Sequence, residues 1–208
     1  MKIINRYFYT IKDLYPIQIY KRIYYKLFIT KILFTNKKII IRKSNNNRKI
    51  LFLNNEDYFF IIENNCKIEI LKKKINFSII HDWNSKKFDA LTIYNINYFD
   101  FITNDDSKKK DKINIIEKWI KYNKNKKNPS WDSYPTSLRI VNWIKWSIQN
   151  DYINKEFILS LYEQSLWLSK KIEYHLKGNH LIANAKALIF AGIYFKENNS
   201  SYLLGLGV

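Results

Sequence analysis

The chain has 208 residues, enough to bury a core of one or two domains, and 47% of them are apolar, which excludes a disordered tail. Thirty-six Lys and Arg against eighteen Asp and Glu leave a net charge of +18. Such an excess favours a polyanionic partner (nucleic acid, anionic membrane or acidic polysaccharide), although a chain this rich in Lys, Asn and Ile throughout has a compositional account of its charge as well.

The first twenty residues, MKIINRYFYTIKDLYPIQIY, contain no uninterrupted apolar stretch and no small-residue cleavage site. No signal peptide is visible, so sequence alone predicts a cytoplasmic chain. Residues 13–34 read as a helix: Pro16 suits its first turn, and Ile17, Tyr20, Tyr24, Leu27 and Phe28 recur at helical spacing. Its other face is Tyr, Lys and Arg. Packing on its own domain is expected ahead of a membrane-surface role, because most amphipathic helices face a core. Residues 37–80 are less regular. The runs ILFLNN, DYFFIIE and CKIEIL, bounded by Asn and charge, suit strands or short buried segments. Cys66 is the one cysteine, so no intrachain disulfide forms. Residues 81–102 are dense in Tyr, Phe and Asn, and 103–112 read as a charged loop.

From residue 113 the pattern turns helical. Ile113, Ile116 and Ile120 open a short helix, and 123–135 is a loop. Pro135 can start the next helix, with Ser133 as its cap, and Leu138, Val141, Ile144 and Ile148 stripe it over 136–150. A second helix is predicted over 155–176, striped by Ile158, Leu161, Ser165, Leu168 and Ile172 and stopped by Gly178. Asn179 then caps a third over 180–197, where Ala183, Ala185, Ala187, Ala191 and Gly192 predict close helix contact. Leu203, Leu204 and Leu206 begin another apolar helix that halts at two glycines, an ending expected of a truncated or frame-shifted reading frame. No run of about 18 apolar residues exists to span a membrane. The expected fold is mainly α. Residues 1–112 form an N-terminal region of a helix and mixed short elements, and 113–208 begin a helical domain of antiparallel hairpins.

Several residues are candidates for chemistry. Arg139, Asn142, Trp143 and Trp146 lie on or near one face of the 136–150 helix. Arg can clamp a carboxylate with two hydrogen bonds and Trp can stack on a pyranose, yet a buried Trp pair with a structural Arg fits equally. Tyr134 and Trp131 in the preceding loop can border a sugar. Asn179 and His180 stand at a predicted helix start, where free N–H groups and the dipole favour an anion. Pattern alone makes Asn179 a cap and His180 a first-turn residue. His175 reads as a helix-end histidine, and His81 lies in no motif. There is no zinc-ligand spacing, no RNP-like motif and no glycine-rich phosphate loop. Neither metal nor cofactor is expected, and nucleic acid is not the expected partner.

Four passages taken together, LYPIQIYKRIYYKL (14–27), TIYNINYFDFI (92–102), WDSYPTSLRIVNWIKW (131–146) and EYHLKGNHLIANAKALIFAGIYF (173–195), resemble heparinase II/III-family polysaccharide lyases, especially those associated with bacterial surface-polysaccharide gene clusters. The resemblance implies an (α/α) toroid of helical hairpins, incomplete here, which a β-sandwich follows in complete members. It implies β-elimination on a uronic acid–containing polysaccharide: a base takes the C5 proton, the bond to O4 breaks, and the neighbouring carboxylate must be neutralised as the enolate forms. It gives Asn179 and His180 the catalytic place near that carboxylate, and Arg139, Asn142, Trp143 and Tyr134 a substrate-binding place. It also implies a location outside the cytoplasm. The family's proton-transferring Tyr and a further His lie downstream of the Asn-His helix. Nothing in this chain stands in the corresponding place, so the chain alone is expected to bind without turnover. Two other functions compete: a non-catalytic acidic-glycan-binding or assembly module, and a basic nucleic-acid-binding protein.

Overall fold

A computed structural model describes Pro16, Tyr20 and residues 39–42, 59–62, 64–70, 72–103, 108–176, 178–196 and 198–208. Apart from helical Pro16 and Tyr20, the helix expected over 13–34 lies outside these residues, as does the ILFLNN run. Three strands come first: β1 (Phe59–Ile62), β2 (Asn65–Ile70) and β3 (Lys73–Ser78), antiparallel in the order β1-β2-β3. Phe60 pairs with Lys67, and Lys67 with Asn76. Strict alternation builds β2. Asn65, Lys67 and Glu69 are exposed, while Cys66, Ile68 and Ile70 are buried, so one face of the sheet is covered. Two of the expected apolar runs are thus strands.

After a turn in which the Asp82 carboxylate accepts from Ser78 N at 2.7 Å, the chain forms α1 (Ala90–Tyr98). Its period is hidden in the sequence by the density of aromatic residues. Asp89 caps it by accepting from Thr92 N at 2.9 Å. It stops at Phe99, whose left-handed backbone (φ 61°) costs on the order of 1–2 kcal/mol for a non-glycine residue. The Phe99 ring offsets that cost in the core, stacked on Trp83 at 5.5 Å and edge-on to Trp143 at 5.3 Å.

Five helices follow: α2 (Lys109–Tyr122), α3 (Ser133–Asn150), α4 (Lys155–Lys170), α5 (Gly178–Tyr194) and α6 (Asn198–Gly207). The molecule is mainly helical, as expected, with corrected boundaries. Helix α2 begins inside the segment read as a charged loop. Helix α3 begins at Ser133, with Asp132 rather than Ser133 in the cap position. Helix α4 ends at Lys170, six residues before the predicted end, because Gly178 does not terminate it. Gly178 opens α5 instead, with φ 55°, so Asn179 lies in the first turn of α5 and not at its cap. The stripe predicted for α4 is buried along its length, from Ile158 to Ile172. That of α3 is only half right: Val141 and Ile144 are buried, Ile148 is exposed, and Ile140 and Trp143 supply the rest of a helix buried on most sides. One continuous core includes Ile68, Phe77 and Trp83 beside Trp119, Trp143, Leu161 and Leu188. Residues 39–42 join it through the pairing of Ile41 with Phe195. Among the described residues no helix is long and apolar enough to cross a membrane.

The small residues of α5 do bring a helix close. A Cβ on Gly192 would lie 2.6 Å from Leu204 Cγ, 2.9 Å from Leu204 N and 2.9 Å from Ser200 O, all on α6. Two of these atoms are backbone and cannot rotate away. Gly192→Ala is therefore expected to lower stability by about 1–3 kcal/mol, the usual cost of overpacking, despite alanine's higher helix propensity. Urea unfolding of the two proteins measures it, and an unchanged or raised midpoint would contradict the close α5–α6 contact.

Candidate functional site

The sequence candidates divide into two groups. Arg139, Asn142 and Trp143 were expected to meet substrate, but the structure buries all three. Arg139 is 0% exposed. Its Nε donates to Gln164 Oε1 at 2.7 Å, Nη1 to Asn97 O at 3.0 Å and Nη2 to Thr136 Oγ1 at 3.2 Å. Its guanidinium lies 4.0 Å from the Trp119 ring centroid. Trp143 is enclosed by Phe99, Trp119 and Phe157. Asn142 donates to Tyr98 O at 3.0 Å and Asp100 Oδ1 at 2.6 Å. The physical reason is that α3 is covered on nearly every side, so the face that the resemblance assigned to a sugar is interior. Trp131 and Trp146 are buried too.

Tyr134, Asn179 and His180 stay accessible, and Tyr134 and His180 come together. The Tyr134 ring lies 4.4 Å from the His180 ring, tilted by 37°. Tyr98 meets Tyr134 edge-on at 5.7 Å. Helix α3 supplies Tyr134 from its first turn, α1 supplies Tyr98 from its last, and α5 supplies Asn179 and His180 from its first. Asn179 is exposed and His180 half-buried. At the edge of this group, Tyr94 donates its hydroxyl to Asp132 Oδ2 at 2.5 Å. Burial first, and then the Asp132 carboxylate, hold the Tyr94 phenol well above its ordinary value, so it remains a neutral donor. Burial likewise raises Tyr98.

Sequence reasoning passed over Glu173, which lies at the centre of the local hydrogen bonding. Its Oε2 is 3.2 Å from His180 Nδ1. Asn184 Oδ1 accepts from Glu173 N at 2.7 Å, and Asn184 Nδ2 donates to Glu173 Oε2 at 3.3 Å. Burial raises the Glu173 carboxyl, against the lowering effect of His180 and Asn184, and Asp132 adds to the rise. The spacing Glu-x₆-His carries no recognised signal, and the contact depends on the turn at Gly178. Asn184 was legible only as a polar residue within the alanine run of α5. Among the described residues no cluster of three or more His, Cys, Asp or Glu forms a metal site. His81 is exposed and His175 is half-buried in the connection before α5.

Comparison of the chain with protein-family models, curated proteins and solved structures finds no match.

Two outcomes follow from this geometry. Arg139→Ala removes a buried cation and strands three acceptors in the core. It is expected to cost about 3–5 kcal/mol in chemical denaturation. A variant of wild-type stability would return Arg139 to the list of surface binding groups. For Glu173, a carboxyl raised in the folded state contributes stability that is complete below its ordinary value, about 4.3, and is lost as pH rises through the raised value. Gln has no charge to lose. The melting temperature of Glu173→Gln should match the wild type near pH 4 and exceed it increasingly toward neutrality. A gap that opens in the opposite direction would show that the charged form is the favoured one.

Proposed function

We propose that the chain binds the carboxylate of a uronic acid–containing polysaccharide at the first turn of α5, as part of a β-eliminating lyase of heparinase II/III type. The observation that carries this reading is the contact of His180 with the accessible Tyr134 ring at the helix start that also carries the exposed Asn179. The unpaired N–H groups of a first helical turn and the positive end of the helix dipole favour an anion. The Asn179 amide adds a neutral donor at an exposed position. Tyr134 offers an accessible aromatic ring, the kind of surface on which a pyranose can rest. The net charge of +18 draws an acidic polymer toward the protein. The successive helices α3, α4, α5 and α6, joined by short connections, are the arrangement from which an (α/α) toroid of antiparallel hairpins is built, and that architecture belongs to the same proposal.

The chemistry explains why such a site is needed. Removing the C5 proton places a second negative charge beside a carboxylate. Hydrogen bonds to that carboxylate let the charge delocalise onto oxygens already solvated by the protein. Donors fixed in a helix turn need no reorganisation as the charge develops.

Calorimetric titration tests the binding. Polygalacturonate and other polyuronates should bind, and a neutral glucan should not. Asn179→Ala should weaken binding about ten- to a hundredfold, the equivalent of one charge-assisted hydrogen bond of roughly 1.5–3 kcal/mol. Its melting temperature should change little, since Asn179 is not the cap of α5. Unaltered affinity in the variant would reject the site. Absorbance of unsaturated uronate products, followed on the same samples, should stay flat, and product formation abolished by a substitution within this chain would show that the eliminating groups are present in it.

A further inference from the structure

The accessible face of His180 is set by a residue behind it. Glu173 precedes the turn at Gly178, seven residues before the histidine, and its side chain is 13% exposed against 38% for His180. Asn184, one helical turn beyond His180, grips Glu173 at both its backbone N and its Oε2. Asn184 Nδ2 also donates to Ser137 Oγ at 3.0 Å, and the Ser137 hydroxyl donates to Ser133 O at 2.8 Å. The carboxylate is thereby tied to the first two turns of α3. A carboxylate only accepts, so whenever Glu173 is ionised the imidazole nitrogen 3.2 Å from it carries the proton. Tyr134 lies against the imidazole at 4.4 Å and restricts its rotation.

We propose that Glu173 is a positioning residue for His180: it fixes the Nδ1–H tautomer and makes Nε2 the acceptor nitrogen presented to the bound uronate. The inference rests on the reading of this helix start as the uronate site. It also divides the labour there. The Asn179 amide and the α5 N–H groups donate to the carboxylate, while His180 Nε2 accepts from the sugar ring beside it. A free neutral imidazole favours the other tautomer, in which Nε2 bears the hydrogen and cannot accept. In any histidine, the bond made by one ring nitrogen decides the state of the other. The other charged group acting on Glu173 is Asp132 at the start of α3, whose carboxylate is engaged by the Tyr94 hydroxyl. Lys171, on the connection before Glu173, is influenced by Asp132 in turn.

The test uses the full chain labelled with ¹⁵N. Long-range ¹H–¹⁵N spectra at about pH 8, above the usual histidine range, read the tautomer of His180 directly. Wild type should show a protonated Nδ1 and an acceptor Nε2. Glu173→Met, which keeps length but removes the acceptor, should move the population to Nε2–H. Glu173→Ala serves the same purpose if the Met variant does not fold, and melting curves establish which variants are native. Affinity for trigalacturonate should fall about fivefold, as expected when the competent tautomer becomes the minor form. Folded variants that keep the wild-type ¹⁵N pattern would overturn the positioning role, whatever their affinity. If the tautomer follows Glu173 but wild type binds no oligogalacturonate, the positioning role stands and the uronate reading falls.

Discussion

The buried guanidinium of Arg139 is the constraint on which the helical part of the molecule depends. A cation moved out of water costs several kcal/mol unless its donors are met, and burial lowers Arg139 well below its ordinary value. Among the described residues no carboxylate answers it. Instead α4 offers the Gln164 amide oxygen, α1 the Asn97 carbonyl, α3 its own Thr136 hydroxyl, and α2 the face of Trp119. Each partner comes from a different helix, so the four must take one mutual arrangement for the charge to be tolerated. Asn97 is itself held. Its amide donates to Trp83 O and Ile93 O, and its Oδ1 accepts from the Trp119 indole. Neutral acceptors repay less than a carboxylate does, and what they supply is geometry: a planar fork is satisfied only when all three sit in its plane.

That arrangement reaches the surface by short steps. Asn142, almost one turn beyond Arg139, bonds the carbonyl of Tyr98 and the side chain of Asp100. It fixes the end of α1, where Phe99 takes its left-handed conformation. Tyr98 then meets Tyr134, and Tyr134 meets His180. From the other side Ser133 donates to Lys171 O at 2.6 Å, holding the connection that carries Glu173. Two of the residues first read as ligand groups therefore act one layer beneath the accessible cluster. They orient it without touching anything bound there.

The sequence made the helices legible and left their faces ambiguous. Helical spacing finds a stripe, but α3 is apolar or aromatic on most of its circumference, so no period separates Trp143 in the core from Tyr134 at the surface. Arginine misled for a related reason. An arginine amid tryptophans is read as a ligand clamp or as a buried hub with the same pattern, and only the helices around it decide. Helix α1 was missed because Tyr and Asn alternate with its Ile residues and Phe88 and Phe99 flank it, which blurs the helical period. The ends of α4 and α5 were misplaced because Gly178 was given the common glycine role of terminating a helix, whereas its positive φ here begins one. Asn179 and His180 were legible as a helix-start pair. Glu173 was not, since its contact with His180 is made across a turn whose shape the sequence does not specify.

The charge of the whole and the charge of the cluster point in different directions, and the difference bears on what each can do. The +18 excess is spread over exposed lysines such as Lys67, Lys72, Lys73 and Lys74, and beyond about 8–10 Å its field is screened at physiological salt. A field of this kind acts on polyanions of every class alike. Around His180 two carboxylates act, Glu173 in contact and Asp132 close enough to influence it. A carboxylate bound there as proposed would therefore have to be held by directed donors, the Asn179 amide and the N–H groups of the first turn of α5, against these two. Capture by the surface field and recognition by the helix start are thus separable, and they depend differently on salt. Screening weakens the first steeply and leaves short hydrogen bonds nearly untouched. Under the proposed reading, such a site would discriminate by where a carboxylate sits on a ring, not by how many charges a polymer carries.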